Sequence, residues 1–250
     1  MNFRLAKDAR PQVRALLIVT VLSIALWFVP FAEVLTYPFR LFVTFVHEGG
    51  HALAAVLTGN SVYGLRIMPS GSGVTLTTES GLLSSFIISS AGYLGAMLYG
   101  ALLLFWIRRA VAARRVLIIS AGLILTLTLA YGFGNLFTIA VGTVLAGGLI
   151  AAAMFFSARA AMFLVSLLAA QCVLNALLDL KTVLFLSAPF APHVPTDAAN
   201  MAEATGIPAA FWSVVWIALA LLILYYALRS YAEKRVPSQP DLPFEDEPEL

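Results

Sequence analysis

Seven apolar runs, at about residues 15–29, 38–57, 82–107, 116–131, 136–156, 160–186 and 211–228, take up most of this 250-residue chain. Several approach or exceed the ~20 residues that cross a bilayer core as a helix, and a helix satisfies its own backbone groups where water is absent. Charged residues make up 11% of the chain, less than half the roughly 25% of a soluble domain. The pattern predicts an all-α polytopic membrane protein with six to seven transmembrane helices and membrane lipid as its surroundings. A net charge of +2, with the basic residues at span ends, gives no footing for a nucleic-acid partner. Cys172 is the single cysteine, so an intramolecular disulfide is excluded.

Arg4, Lys7, Arg10 and Arg14 make residues 1–14 a basic, cytoplasmic amino terminus ahead of an uncleaved first span. After the second apolar run, two β-prone stretches flank Pro69-Ser70-Gly71-Ser72-Gly73, which predicts a hairpin over about 61–78. The third run carries Ser89-Ser90-Ala91-Gly92-Tyr93-Leu94-Gly95-Ala96. Small residues at that density let helix backbones approach closely in lipid, and this face is expected to pack on the second run. Residues 187–210, punctuated by Pro189, Pro192, Pro195 and Pro208, read as an extramembrane loop. Within it Thr196 or Asp197 caps a short helix that ends at Gly206. The organisation is one integral membrane domain over 15–230, followed by a disordered, acidic tail over 231–250.

Topology stays open at this level. If all seven runs cross from a cytoplasmic amino terminus, the connection bearing Arg108, Arg109, Arg114 and Arg115 falls outside, against the positive-inside tendency. A second run that re-enters with its hairpin, without crossing, removes the conflict.

The second run contains His47-Glu48-Gly49-Gly50-His51. On a helix, residues four apart share a face, so His47 and His51 can present imidazoles to one metal ion with Glu48 beside them. This is the H-E-x-x-H spacing of zinc hydrolases, in which the glutamate is the general base. Catalytic zinc takes three protein ligands. Among the acidic residues only Glu48 and Asp179 sit well inside apolar runs, where a charge costs ~2.5–3.5 kcal/mol or more and calls for a partner. Asp179 is thus the expected third ligand, its bland reading being an ion pair with a neighbour such as Lys181. Asn175, one turn earlier, is either a donor to a reacting carbonyl, a support for a ligand, or polar glue between helices. Cys172 reads as a small buried thiol and His193 as a loop histidine, each remaining an alternative third ligand behind Asp179. The Gly49-Gly50 pair costs roughly 1 kcal/mol per glycine relative to alanine in a helix, which close approach of a substrate backbone or a packed helix would justify.

With His47-Glu48-Gly49-Gly50-His51, a Gly/Ser hairpin, Gly92-Tyr93-Leu94-Gly95, and Asn175-Ala176-Leu177-Leu178-Asp179 on a late helix, the chain resembles the site-2 protease family of intramembrane zinc metallopeptidases. It looks closest to the compact branch without a PDZ domain, over roughly residues 38–210. The family's Asn-x-x-Pro and Leu-Asp-Gly signatures survive only as Asn175 and Leu178-Asp179-Leu180. The resemblance implies one Zn2+ per chain held by His47, His51 and Asp179, with Glu48 as catalytic base. It implies hydrolysis of peptide bonds in membrane-associated polypeptides, in a multi-pass protein of the cell membrane. The competing reading is a non-proteolytic scaffold or metal-binding membrane protein built on a protease-like site. Intact Glu48 argues against it, because metal binding alone needs no base between two ligands. A zinc hydrolase acting on lipid or another non-peptide bond fits the same chemistry but leaves the hairpin unexplained. Substrate and oligomeric state are not written in the sequence.

Overall fold

A computed structural model describes residues 9–26, 28–78, 80–109, 111–188 and 194–231. Parts of the expected amino terminus (1–8) and acidic tail (232–250), and His193 with its neighbours 189–192, lie outside the described residues. The elements run α1 (Arg10–Leu26), α2 (Glu33–Leu57), β1 (Val62–Ile67), β2 (Gly73–Thr77), α3 (Leu82–Arg108), α4 (Ala113–Tyr131), α5 (Leu136–Phe155), α6 (Ala158–Leu186), α7 (Asp197–Thr205) and α8 (Ala209–Arg229). Five of them, α3, α4, α5, α6 and α8, are long and apolar enough to cross a membrane. The expected six to seven are reached by adding α1, whose apolar part Gln12–Leu26 is shorter, and α2, which carries Glu33, Arg40 and Glu48. Large apolar side chains such as Leu98, Ile118, Val144 and Leu221 stand at least half exposed on the outside of the bundle. That is the arrangement expected where lipid rather than water is the solvent.

Helix α3 is the central post, in contact with α2, α6, α7 and α8. Its small-residue face packs on α2, as the sequence leads one to expect. A β-carbon on Gly50 would run into the Ala91 carbonyl oxygen, and the Cα of Gly50 lies 3.5 Å from where a Gly95 β-carbon would stand. On an adjacent face a β-carbon at Gly49 would come 2.6 Å from Leu127 Cδ1 of α4. The glycine pair is therefore explained by two helices closing on adjacent faces of α2: at Gly50 a β-carbon would meet the main chain of α3, and at Gly49 it would displace the end of the Leu127 side chain. Gly100 does the same between α3 and α6, where its β-carbon would stand 3.0 Å from Cys172 Cβ. Cys172 is fully buried in that contact, consistent with a packing role.

The hairpin forms over the expected residues as an antiparallel pair, with Leu65 opposite Thr75 and Ile67 opposite Gly73. Opposed residues share a sheet face. On this one, Leu65 and Ile67 are fully buried, while Val74 and Leu76 of β2, pointing the other way, are exposed. The turn is tied to α2 by Tyr37 Oη donating to Pro69 O at 2.6 Å and Thr44 Oγ1 donating to Gly71 O at 2.7 Å. β1 is held on the far side by Ile67 N donating to Thr138 Oγ1 of α5 at 2.8 Å. The sheet therefore lies along α2, with β2 over the motif.

Candidate metal centre

Helix α2 continues unbroken through the motif, so the imidazoles of His47 and His51 emerge one turn apart on one face, their Nε2 atoms 3.1 Å apart. His51 Nδ1 lies 2.7 Å from the Ile88 carbonyl oxygen on α3. A carbonyl only accepts, so Nδ1 carries the hydrogen and Nε2 keeps its lone pair toward the centre. The His47 ring stands edge-on to Tyr93, with centroids 4.6 Å apart. Gly92 opens the space between α2 and α3, since a β-carbon there would collide with Nε2 of both histidines.

The carboxylate that completes the group is Asp197. Its Oδ2 lies 3.4 Å from His51 Nε2 and 3.6 Å from His47 Nε2, and these three residues form a set able to hold a metal ion among the described residues. Asp179, the carboxylate expected there, is outside this set. It sits exposed on α6, within electrostatic range of His47 and Arg40. The physical reason is that α7 folds back. Thr196 Oγ1 caps it by accepting from Ala199 N at 3.1 Å, and Gly206 in the left-handed conformation (φ 72°) ends it. Its packing on α3 and α8 then delivers Asp197, the first helical residue, to the histidines. Burial alone would raise the Asp197 carboxyl; in the metal-free group, when His51 and His47 are protonated, their charges outweigh this and hold it below the usual carboxylate range.

Tetrahedral zinc with bonds of ~2.0–2.1 Å spaces its ligand atoms ~3.3–3.4 Å apart. The separations of 3.1, 3.4 and 3.6 Å bracket that spacing. Two imidazole nitrogens and a carboxylate oxygen at such distances fit a divalent cation.

Glu48, beside the histidines on α2, reaches the hairpin and is almost fully buried. Its Oε2 accepts from Thr75 Oγ1 at 2.7 Å. Asn175 is engaged elsewhere, donating to Gln171 O and Oε1 at 2.8 and 2.9 Å, while Gln171 Nε2 donates to Ser23 Oγ of α1 at 3.1 Å. The bonds of Asn175 thus stay within α6, and Gln171 makes the tie to α1. Tyr93, quoted in the sequence only as part of a small-residue stretch, joins the centre through its ring contact with His47.

No curated protein and no solved structure matches the chain. A family model described as Peptidase M50B-like matches residues 16–227, a span that takes in α2, the hairpin, α3 and α7. Helices suited to a membrane, a potential metal-binding triad on and opposite a His-Glu-x-x-His helix, and this match agree: the chain belongs to the Peptidase M50B-like family of intramembrane metallopeptidases.

Proposed function

We propose that the protein is a zinc-dependent endopeptidase that cleaves membrane-associated polypeptides. The observation that carries this reading is the convergence of His47, His51 and Asp197 at tetrahedral ligand spacing, with Glu48 in the same helical turn. These three residues would hold one zinc per chain. When bound there, zinc supplies Lewis acidity, drawing the pKa of a water at its open position down toward ~7 and polarising a carbonyl oxygen. The chain's own residues do the rest. Asp197 offsets the positive charge of the ion, and the Ile88 carbonyl keeps the His51 ring in the tautomer that can ligate. Glu48 accepts the proton of the attacking water and passes it to the leaving amide nitrogen.

A peptide bond inside a transmembrane helix has its carbonyl shielded, so the substrate must be extended locally before it can react. Among the described residues the two-stranded sheet leaves the outer edge of β2 without a third strand, beside the helix that carries Glu48. An extended segment can add to such an edge by main-chain hydrogen bonds. A cell-membrane location is part of the same proposal. The test is cleavage of a membrane-spanning polypeptide by detergent-purified protein, wild type against Glu48→Gln. The variant is expected to retain zinc and lose about 10²–10⁴-fold in turnover. A fully active Glu48→Gln protein would overturn the assignment of the base, and zinc binding with no cleavage of any polypeptide by the wild type would favour a non-proteolytic role.

A further inference from the structure

The hairpin touches Glu48 at two alternate residues of β2. Thr75 Oγ1 lies 2.7 Å from Glu48 Oε2 and 3.0 Å from the Glu48 carbonyl oxygen. Two residues earlier, a β-carbon on Gly73 would stand 2.6 Å from Glu48 Oε1 and 2.6 Å from its Cγ. Residues i and i+2 share one face of a strand, so β2 presents to this carboxylate a hydroxyl and a gap side by side. The hydroxyl supplies a charge-assisted hydrogen bond, and the gap leaves the carboxylate the volume it occupies. A glycine in a strand costs stability and often marks close approach of another group; here that group is the Glu48 side chain.

We infer that Thr75 and Gly73 are positioning residues for Glu48: strand β2 is the seat that fixes the base in its reactive rotamer. The inference rests on the reading of Glu48 as general base. A glutamate has three rotatable side-chain bonds, and a base displaced by about 1 Å loses much of its effect. Thr75 can serve both protonation states of Glu48, because its hydroxyl has one hydrogen and two acceptors in reach. While Glu48 is ionised, the hydroxyl donates to Oε2. Once Glu48 has taken the water's proton on its other oxygen, the hydroxyl still donates, to Oε2 as the acid's carbonyl oxygen or to the Glu48 main-chain oxygen, and the new proton stays free for the leaving amine. No atom is gained or lost by Thr75, and the proton remains on Glu48 until it leaves with the amine. The same strand would thereby couple the binding edge to the base, since a hairpin that shifts away from α2 takes Thr75 with it.

The test compares Thr75→Val, Thr75→Ser and Gly73→Ala with wild type and Glu48→Gln, measuring kcat, KM and zinc content on one membrane-spanning polypeptide. Valine keeps the shape of threonine and leaves the main chain of β2 untouched. The expected result for Thr75→Val is a fall in kcat of about 10–100-fold, the size seen when a group that orients an active-site residue is lost. KM should stay within about twofold and zinc at the wild-type level. Thr75→Ser, which restores the hydroxyl, should return kcat to within a few-fold, and Gly73→Ala should lower kcat without raising KM. The inference is overturned by wild-type kcat in Thr75→Val, by equal losses in the valine and serine variants, or by a loss that appears as raised KM or lost zinc. An inactive Glu48→Gln beside a fully active Thr75→Val would sink the positioning role alone, whereas an active Glu48→Gln would sink the reading beneath it.

Discussion

Helix α2 and helix α7 supply one centre by different routes. On α2, His47 and His51 are neighbours because a helix turn makes them so, and nothing beyond local geometry is needed to bring their Nε2 atoms to 3.1 Å. On α7 the side chain of Asp197 depends on a cap, a left-handed glycine and the docking of a nine-residue helix on α3 and α8. A helix that short is marginal in isolation and takes its stability from what it packs against. The two routes should therefore differ in how easily they break: the histidine pair survives loosening of the bundle, and the carboxylate does not.

The sharpest test of that difference removes each carboxylate in turn. Asp197→Ala is expected to take metal content from about one ion per chain to near none, with activity down by more than ~10³-fold, because two imidazoles alone do not make the three-ligand site. Metal analysis and turnover read both effects, and full zinc in this variant would mean that the third ligand lies elsewhere. Gly92→Ala should come next. Its methyl group would press on both histidine Nε2 atoms at once, and we expect metal affinity to fall ~10–100-fold, the range seen when ligand orientation is disturbed. Zinc titration against a competing chelator measures it; unchanged affinity would show that α3 yields without disturbing the pair.

A smaller effect is expected from Thr196→Ala, which removes the side-chain cap of α7. Such losses cost about 1 kcal/mol, and here part of that cost should surface as weaker zinc binding, which a cap far from the ligands would not produce. Thermal melting with and without zinc separates the two contributions. Asp179→Asn should do least. The exposed carboxylate on α6 faces His47 only through space, so zinc affinity is expected to change less than about threefold, below the ~10–100-fold of groups bonded to ligands. If Asp179→Asn strips the metal while Asp197→Asn does not, the contrast drawn between the two carboxylates is reversed.

The two carboxylates show what sequence reasoning weighs and what it overlooks. Asp179 draws attention because a charge inside an apolar run is costly. Asp197 escapes it because a local role already accounts for an acidic residue there: the first turn of a helix attracts negative charge, and Thr196-Asp197 reads naturally as a helix start. Both readings of Asp197 hold at once, since it stands in the first turn of α7 and also faces the histidines. The signal that was available is the short helix itself, a specific stop-and-start device placed in a proline-rich connection between two spans. Similarly, Thr75 looks like an ordinary strand residue until β2 is laid along α2.

Periodicity and composition were enough for what depends on neighbours in the chain. Apolar length predicted the spanning helices, the Pro/Gly/Ser stretch the hairpin, four-residue spacing the histidine pair, and small residues the face of α3 that meets α2. Which carboxylate meets the histidines, why Gly49 and Gly50 are both tolerated, and what grips Glu48 were decided only by the tertiary structure. Each of these is a contact between segments far apart in sequence, set by how α3, α7 and the hairpin pack around α2, and no local pattern encodes the distance between atoms that the chain brings together only on folding.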